Sequence, residues 1–112
     1  MNIDRFIKEN NIALFVEGDL KKNKFNIINT EIPLESYVLY EQLILNSTPE
    51  NLSKYLSGQL LPRIWKQGNV KCILCKPDPE RIFALFCNKQ SNDPKEEYLH
   101  AKELDLKLKE II

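Results

Sequence analysis

The stretch Arg81–Asn88 (RIFALFCN) constrains the fold of this chain more than any other. In a strand, successive side chains point to opposite faces. Ile82, Ala84 and Phe86 then face one way, and Phe83, Leu85 and Cys87 the other. Both faces are apolar, whereas an antiparallel sheet usually leaves one side wet. A sheet built around this strand must be covered on both sides, and the rest of the chain has to supply the covers.

The sequence offers further strands and several helices. Leu61–Gln67 (LPRIWKQ) and Val70–Lys76 (VKCILCK) read with period two, joined by Gly68–Asn69, a two-residue connection of hairpin type. Lys76–Glu80 makes a longer turn whose two prolines cannot supply ladder hydrogens. Ile12–Val16, ending at Gly18–Asp19, and Phe25–Asn29 form a hairpin across a lysine-rich loop. Met1–Glu9 carries Ile3, Phe6 and Ile7 at helical spacing, and Leu34–Asn46 is helical by pattern. Thr48 before Pro49 signals a helix start, with Gly58 as its stop, so residues 34–58 form two helices or one kinked helix. Asp93, Pro94 and Glu96 open the last helix as a capping box, and Glu103–Lys107 and Asp105–Lys109 add charge pairs along it. The order αββαβββα predicts one α+β domain over residues 1–112, a five-stranded antiparallel sheet with helices on both faces.

One cover is easily identified. In the last helix Tyr98, Ala101, Leu104, Leu108, Ile111 and Ile112 fall on one stripe. The middle helix is different, because apolar residues from Leu34 to Leu45 occupy most of its circumference, leaving only Glu35, Gln42 and Asn46 as a polar line. A helix apolar nearly all round is buried from more than one direction. A single small sheet cannot supply that burial, so a second chain is expected. The strand holding Ile64 and Trp65 lies at the edge of the three-strand meander, with unpaired backbone groups. One two-fold operation removes both liabilities. The expected contact, in a homodimer or with a similar domain, contains Tyr37, Tyr40, Leu43, Ile44, Ile64 and Trp65, with Pro62 opposing strand pairing. On the other side of the last helix, Leu99 and Leu106 stand seven apart, either as single exposed leucines or as a patch for a partner.

Composition narrows the function classes. Sixteen basic and sixteen acidic residues cancel, so no global field draws nucleic acid or anionic lipid. No segment approaches the roughly 18 apolar residues that a membrane span requires, and no signal-peptide run opens the chain. Three cysteines, an odd count, point to reduced thiols and a cytoplasmic location. Cys72 and Cys75 form a C-x-x-C, but three residues apart on a strand they face opposite ways and cannot share a metal ion or a disulfide. The only histidine is His100, read here as solvated beside Glu96 and Glu103. Lys21, Lys22 and Lys24 make a basic hairpin tip without a stacking platform for nucleic acid. Glycines are isolated, with no phosphate cradle. No catalytic, cofactor-binding or metal residues are expected.

Taken together, the αββαβββα order, the meander LLPRIWKQGNVKCILCKPDPERIFALFCNK and the closing LDLKLKEI helix resemble the roadblock/dynein light-chain family. That resemblance implies a small profilin-like regulatory domain that dimerises helix against helix and edge strand against edge strand. It also implies docking onto a small GTPase, motor or signalling complex, without catalytic residues of its own. Profilin-, longin- and PAS-like domains share the helix-covered sheet. The alternative is therefore a sensory or small-ligand domain with an enclosed apolar pocket of roughly 300 Å³ or more.

Overall fold

The structure, a computed structural model, describes residues 2–88 and 92–112. Five strands, β1 (Leu14–Asp19), β2 (Lys24–Asn29), β3 (Arg63–Gln67), β4 (Val70–Asp78) and β5 (Arg81–Asn88), form one sheet in the order β2-β1-β5-β4-β3. Every neighbouring pair is antiparallel. β5 takes the centre, as its two apolar faces demand. Ile82, Ala84 and Phe86 belong to one core layer, and Phe83, Leu85 and Cys87 to the other. The protein is an α+β fold.

Helices cover both faces. α1 (Ile3–Glu9) and α4 (Pro94–Ile111) close one side, where Phe6, Ile7, Ala101, Leu104 and Leu108 are buried. The other side is closed by α2 (Val38–Tyr40), which continues as a π-helical turn over Glu41–Leu45, and by α3 (Pro49–Leu56). Thr48 and Pro49 start α3 as the sequence predicts: the Thr48 hydroxyl accepts from the Asn51 amide at 3.2 Å. Asp93 caps α4 in the same way, accepting from the Lys95 amide at 3.0 Å. The middle region is thus two helical pieces. Cys72 joins the core beneath α2 and α3, while Cys75 and Cys87 lie beneath α1 and α4, all three buried and unpaired.

Several boundaries differ from the sequence reading, each for a physical reason. Leu34–Tyr37 is not helical. There the Glu35 amide donates to Asn88 Oδ1 at 2.9 Å and Asn88 Nδ2 donates to the Pro33 carbonyl at 3.0 Å. These long-range bonds strap the segment to the end of β5 in place of a helical ladder. In the π turn, the Asn46 amide reaches back five residues to the Glu41 carbonyl at 3.1 Å. The first hairpin turns at residues 20–23 rather than at Gly18–Asp19. Gly18 stays inside β1, paired with Phe25 and Ile82, where a Cβ would lie 2.6 Å from Ile82 Cγ2, and Asp19 Oδ1 organises the loop by accepting from the Lys21 and Lys22 amides. β4 runs through Pro77 to Asp78, with a register shift between Cys75 and Asp78 that absorbs the missing donor.

Candidate interaction surface

The middle helical region lies over β3 and β4 with its inner residues already used. Leu39, Leu43 and Ile44 are buried against the chain's own sheet. Tyr40 is half-buried, its ring edge-on to Phe86 at 5.7 Å between centroids, and burial pushes its phenol pKa up. The outward side carries Tyr37, Val38 and Leu45, the last 59% exposed. Leu43 and Ile44, expected from sequence at an intermolecular face, are therefore core residues of one chain, and Val38 and Leu45 take the outward positions.

Edge strand β3 continues this surface. Trp65 pairs with Cys72 across the ladder and packs into the layer beneath α2 and α3, whereas Ile64 pairs with Ile73 and packs beneath α4. The two residues expected together in one contact thus belong to opposite faces of the strand. Tyr55, at the end of α3, lies over Trp65 with ring centroids 5.2 Å apart. Leu43, Leu52, Tyr55 and Trp65 line an open groove of about 410 Å³ between the π turn and α3. Beyond it Leu60 is 92% exposed. Tyr37, Val38, Leu45, Tyr55 and Leu60 are exposed apolar side chains of this half of the chain, and among the described residues β3 has a strand neighbour on one side only.

On the outer side of α4, Leu99 and Leu106 are both exposed, as their spacing predicts. Tyr98, expected on the buried stripe, is exposed too, with the Lys102 ammonium 6.0 Å from its ring centre. Its place toward the sheet is taken by Glu97.

Glu97 belongs to a buried polar cluster that sequence reasoning missed. Lys71 of β4 is fully buried, and its ammonium pairs with the Glu97 carboxylate and lies 3.0 Å from His100 Nδ1. An ammonium can only donate, so His100 Nδ1 accepts and the ring is neutral. Burial, and then the Lys71 charge, hold the His100 pKa below its ordinary value. His100 is therefore a half-buried partner of the strand, not the solvated side chain expected. The signal was present in the sequence: Lys71 falls in phase with Ile73 and Cys75, and Glu97 lies one turn before Ala101 on the buried stripe. Further along α4, Asp105 is also buried and paired to Lys109 at 3.0 Å, and its charge adds to burial in pushing the Cys75 thiol pKa up.

The remaining chemistry-bearing residues are dispersed. Lys21 at the hairpin tip pairs with Glu80 at 3.0 Å, both well exposed. Among the described residues no group of His, Cys, Asp or Glu comes together in a way that could hold a metal ion, and no helix is long and apolar enough to cross a membrane.

No protein-family model and no curated protein matches this sequence. The structure does have a counterpart. It resembles Myxococcus xanthus MglB, with a TM-score of 0.53 over 95% of this chain and 87% of that one. Identity is 11%, so the likeness is one of fold: a five-stranded antiparallel sheet with helices.

Proposed function

We propose that this chain is a non-catalytic interaction module that works as a two-fold dimer, with itself or with a similar domain. In this reading it docks onto a small GTPase, motor or signalling complex in the cytoplasm. The observation that carries the reading is the apolar surface of Tyr37, Val38, Leu45 and Tyr55 beside the open edge of β3. Burying such a surface is favourable at roughly 25 cal/mol per Å², and an unpaired edge recruits another strand. A two-fold axis near β3 brings the helical region of each chain against its mate and lets the two edges meet, as the resemblance to roadblock domains implies. The GTPase, motor or signalling partner rests on that resemblance alone, and would dock on the surface such a dimer presents. The groove lined by Leu43, Leu52, Tyr55 and Trp65 is open to solvent, which favours an interaction surface over an enclosed ligand site.

Leu45→Glu tests the contact, because Leu45 is exposed within one chain and its replacement spares the core. The variant should keep its far-ultraviolet circular dichroism and thermal midpoint while its elution shifts to that of a smaller assembly. Unchanged elution of a folded variant would refute this face as the contact.

A further inference from the structure

The sheet has a second edge, which the contact proposed above leaves open. Among the described residues β2 pairs only with β1, and it is exposed along nearly all its length. Ile27 and Ile28 are 40% and 38% exposed. Beside this edge, between α1 and the end of β2, lies a cleft of about 720 Å³. Ile7, Ile12, Ile28 and Ile32 supply its apolar lining, and its charged groups are Asp4, Lys8 and Glu31. Two carboxylates against one ammonium leave it net acidic. Neither Asp4 nor Glu31 makes an ion pair among the described residues, and neither does Lys24, exposed at the start of β2.

We propose that β2 is a second self-association edge, at which two copies pair antiparallel and each places Lys24 against the acidic cleft of the other. Symmetry fixes the geometry closely. A two-fold axis normal to a sheet must pass between a residue and its own mate, here Asn26 or Ile27, the central residues of the strand. The first choice sets Lys24 opposite the partner's Ile28, and the second opposite the partner's Thr30. Directly opposed residues share a face. Ile28 pairs with Phe15 in the layer beneath α1 and α4, the side on which the cleft opens. In both registers, therefore, Lys24 meets a residue that lines the cleft, near Asp4 and Glu31. The same pairing covers Ile27 and Ile28 and satisfies the free backbone edge, the liability that exposed edge strands carry. Because β2 and β3 are opposite edges of the sheet, this contact does not depend on the helix-side dimer. Where both form, the sheet extends from copy to copy as an open chain.

The test is a charge exchange read by sedimentation velocity at low salt, in a Leu45→Glu background that removes the helix-side contact. The parent should sediment as two chains, and Lys24→Glu and Glu31→Lys should each sediment as one. The double variant should return to two chains. An equimolar mixture of the two single variants should do so as well, since both symmetric contacts then pair opposite charges. Circular dichroism checks that every variant is folded. A parent that sediments as a single chain, or single variants that match it, would overturn the proposal. A Leu45→Glu chain with wild-type mass speaks only against the helix-side contact, and the charge series still decides the β2 edge.

Discussion

The ammonium of Lys71, fully buried on β4, lies 3.0 Å from Nδ1 of His100 on α4. This contact requires a neutral imidazole, and it ties the stability of the fold to pH. The His100 pKa is lowered in the folded chain, by burial and by Lys71, so the unfolded chain binds the proton more readily. Stability is then complete above the ordinary histidine value of about 6.5 and declines as pH falls from there toward the folded value. Glu103 titrates below that window, because its hydrogen bond and ion pair with Lys107 lower its carboxyl. Urea midpoints should fall between pH 7.5 and 5.5 in the wild type. They should stay level over that range in His100→Asn, whose amide oxygen can accept from Lys71 without titrating.

The Lys71–Glu97 pair should be costly to break on one side only. Lys71→Met leaves the Glu97 carboxylate buried without that ammonium, and should destabilise the fold by about 3–5 kcal/mol in chemical denaturation. Adding Glu97→Leu to the same chain should recover most of the loss, because the apolar replacements remove the desolvation cost of both charges.

The three thiols should be silent in the native state. All are buried, and burial is the first cause raising each: Cys87 to about 11, Cys75 higher still, and Cys72 well above its ordinary value. Thiolate is the reacting form. Ellman's reagent at neutral pH should label none of them in buffer and all of them in guanidinium. Rapid labelling of the folded chain would contradict their placement in the core.

Gly18 should resist replacement although it lies in a strand with ordinary dihedrals. An added Cβ would lie 2.6 Å from Ile82 Cγ2, 3.1 Å from Phe25 Cε1 and 3.2 Å from Pro49 Cβ, where β1, β2, β5 and α3 meet. Gly18→Ala should cost about 1–3 kcal/mol of stability by overpacking, measured as a lower thermal midpoint.

Elements whose signals are local were legible in the sequence. Arg81–Asn88 is a strand with the bounds its double-faced pattern indicates, and Thr48–Pro49 and Asp93–Pro94 begin helices through bonds within four residues. What escaped depends on distant partners. Leu34–Tyr37 carries a helical pattern, but Asn88, more than fifty residues away, takes its backbone bonds. Leu43 and Ile44 read as part of an all-round apolar helix, yet both face the sheet in the π turn, and no periodicity announces that widening. Lys71 and Glu97 could have been phased onto buried faces, but each alone looks like a solvated charge. Ile64 and Trp65, grouped by their common edge, part company through simple alternation.

The central claim is that two copies meet through the helical region around Leu45 and the open edge of β3. Static light scattering at micromolar concentration tests it most directly. The claim predicts a mass of at least twice the 13.1 kDa of one chain, reduced to a single chain at the same concentration when Leu45→Glu is combined with Lys24→Glu. A wild-type mass of 13.1 kDa across the whole concentration range would contradict it and would favour a small-ligand-binding domain instead.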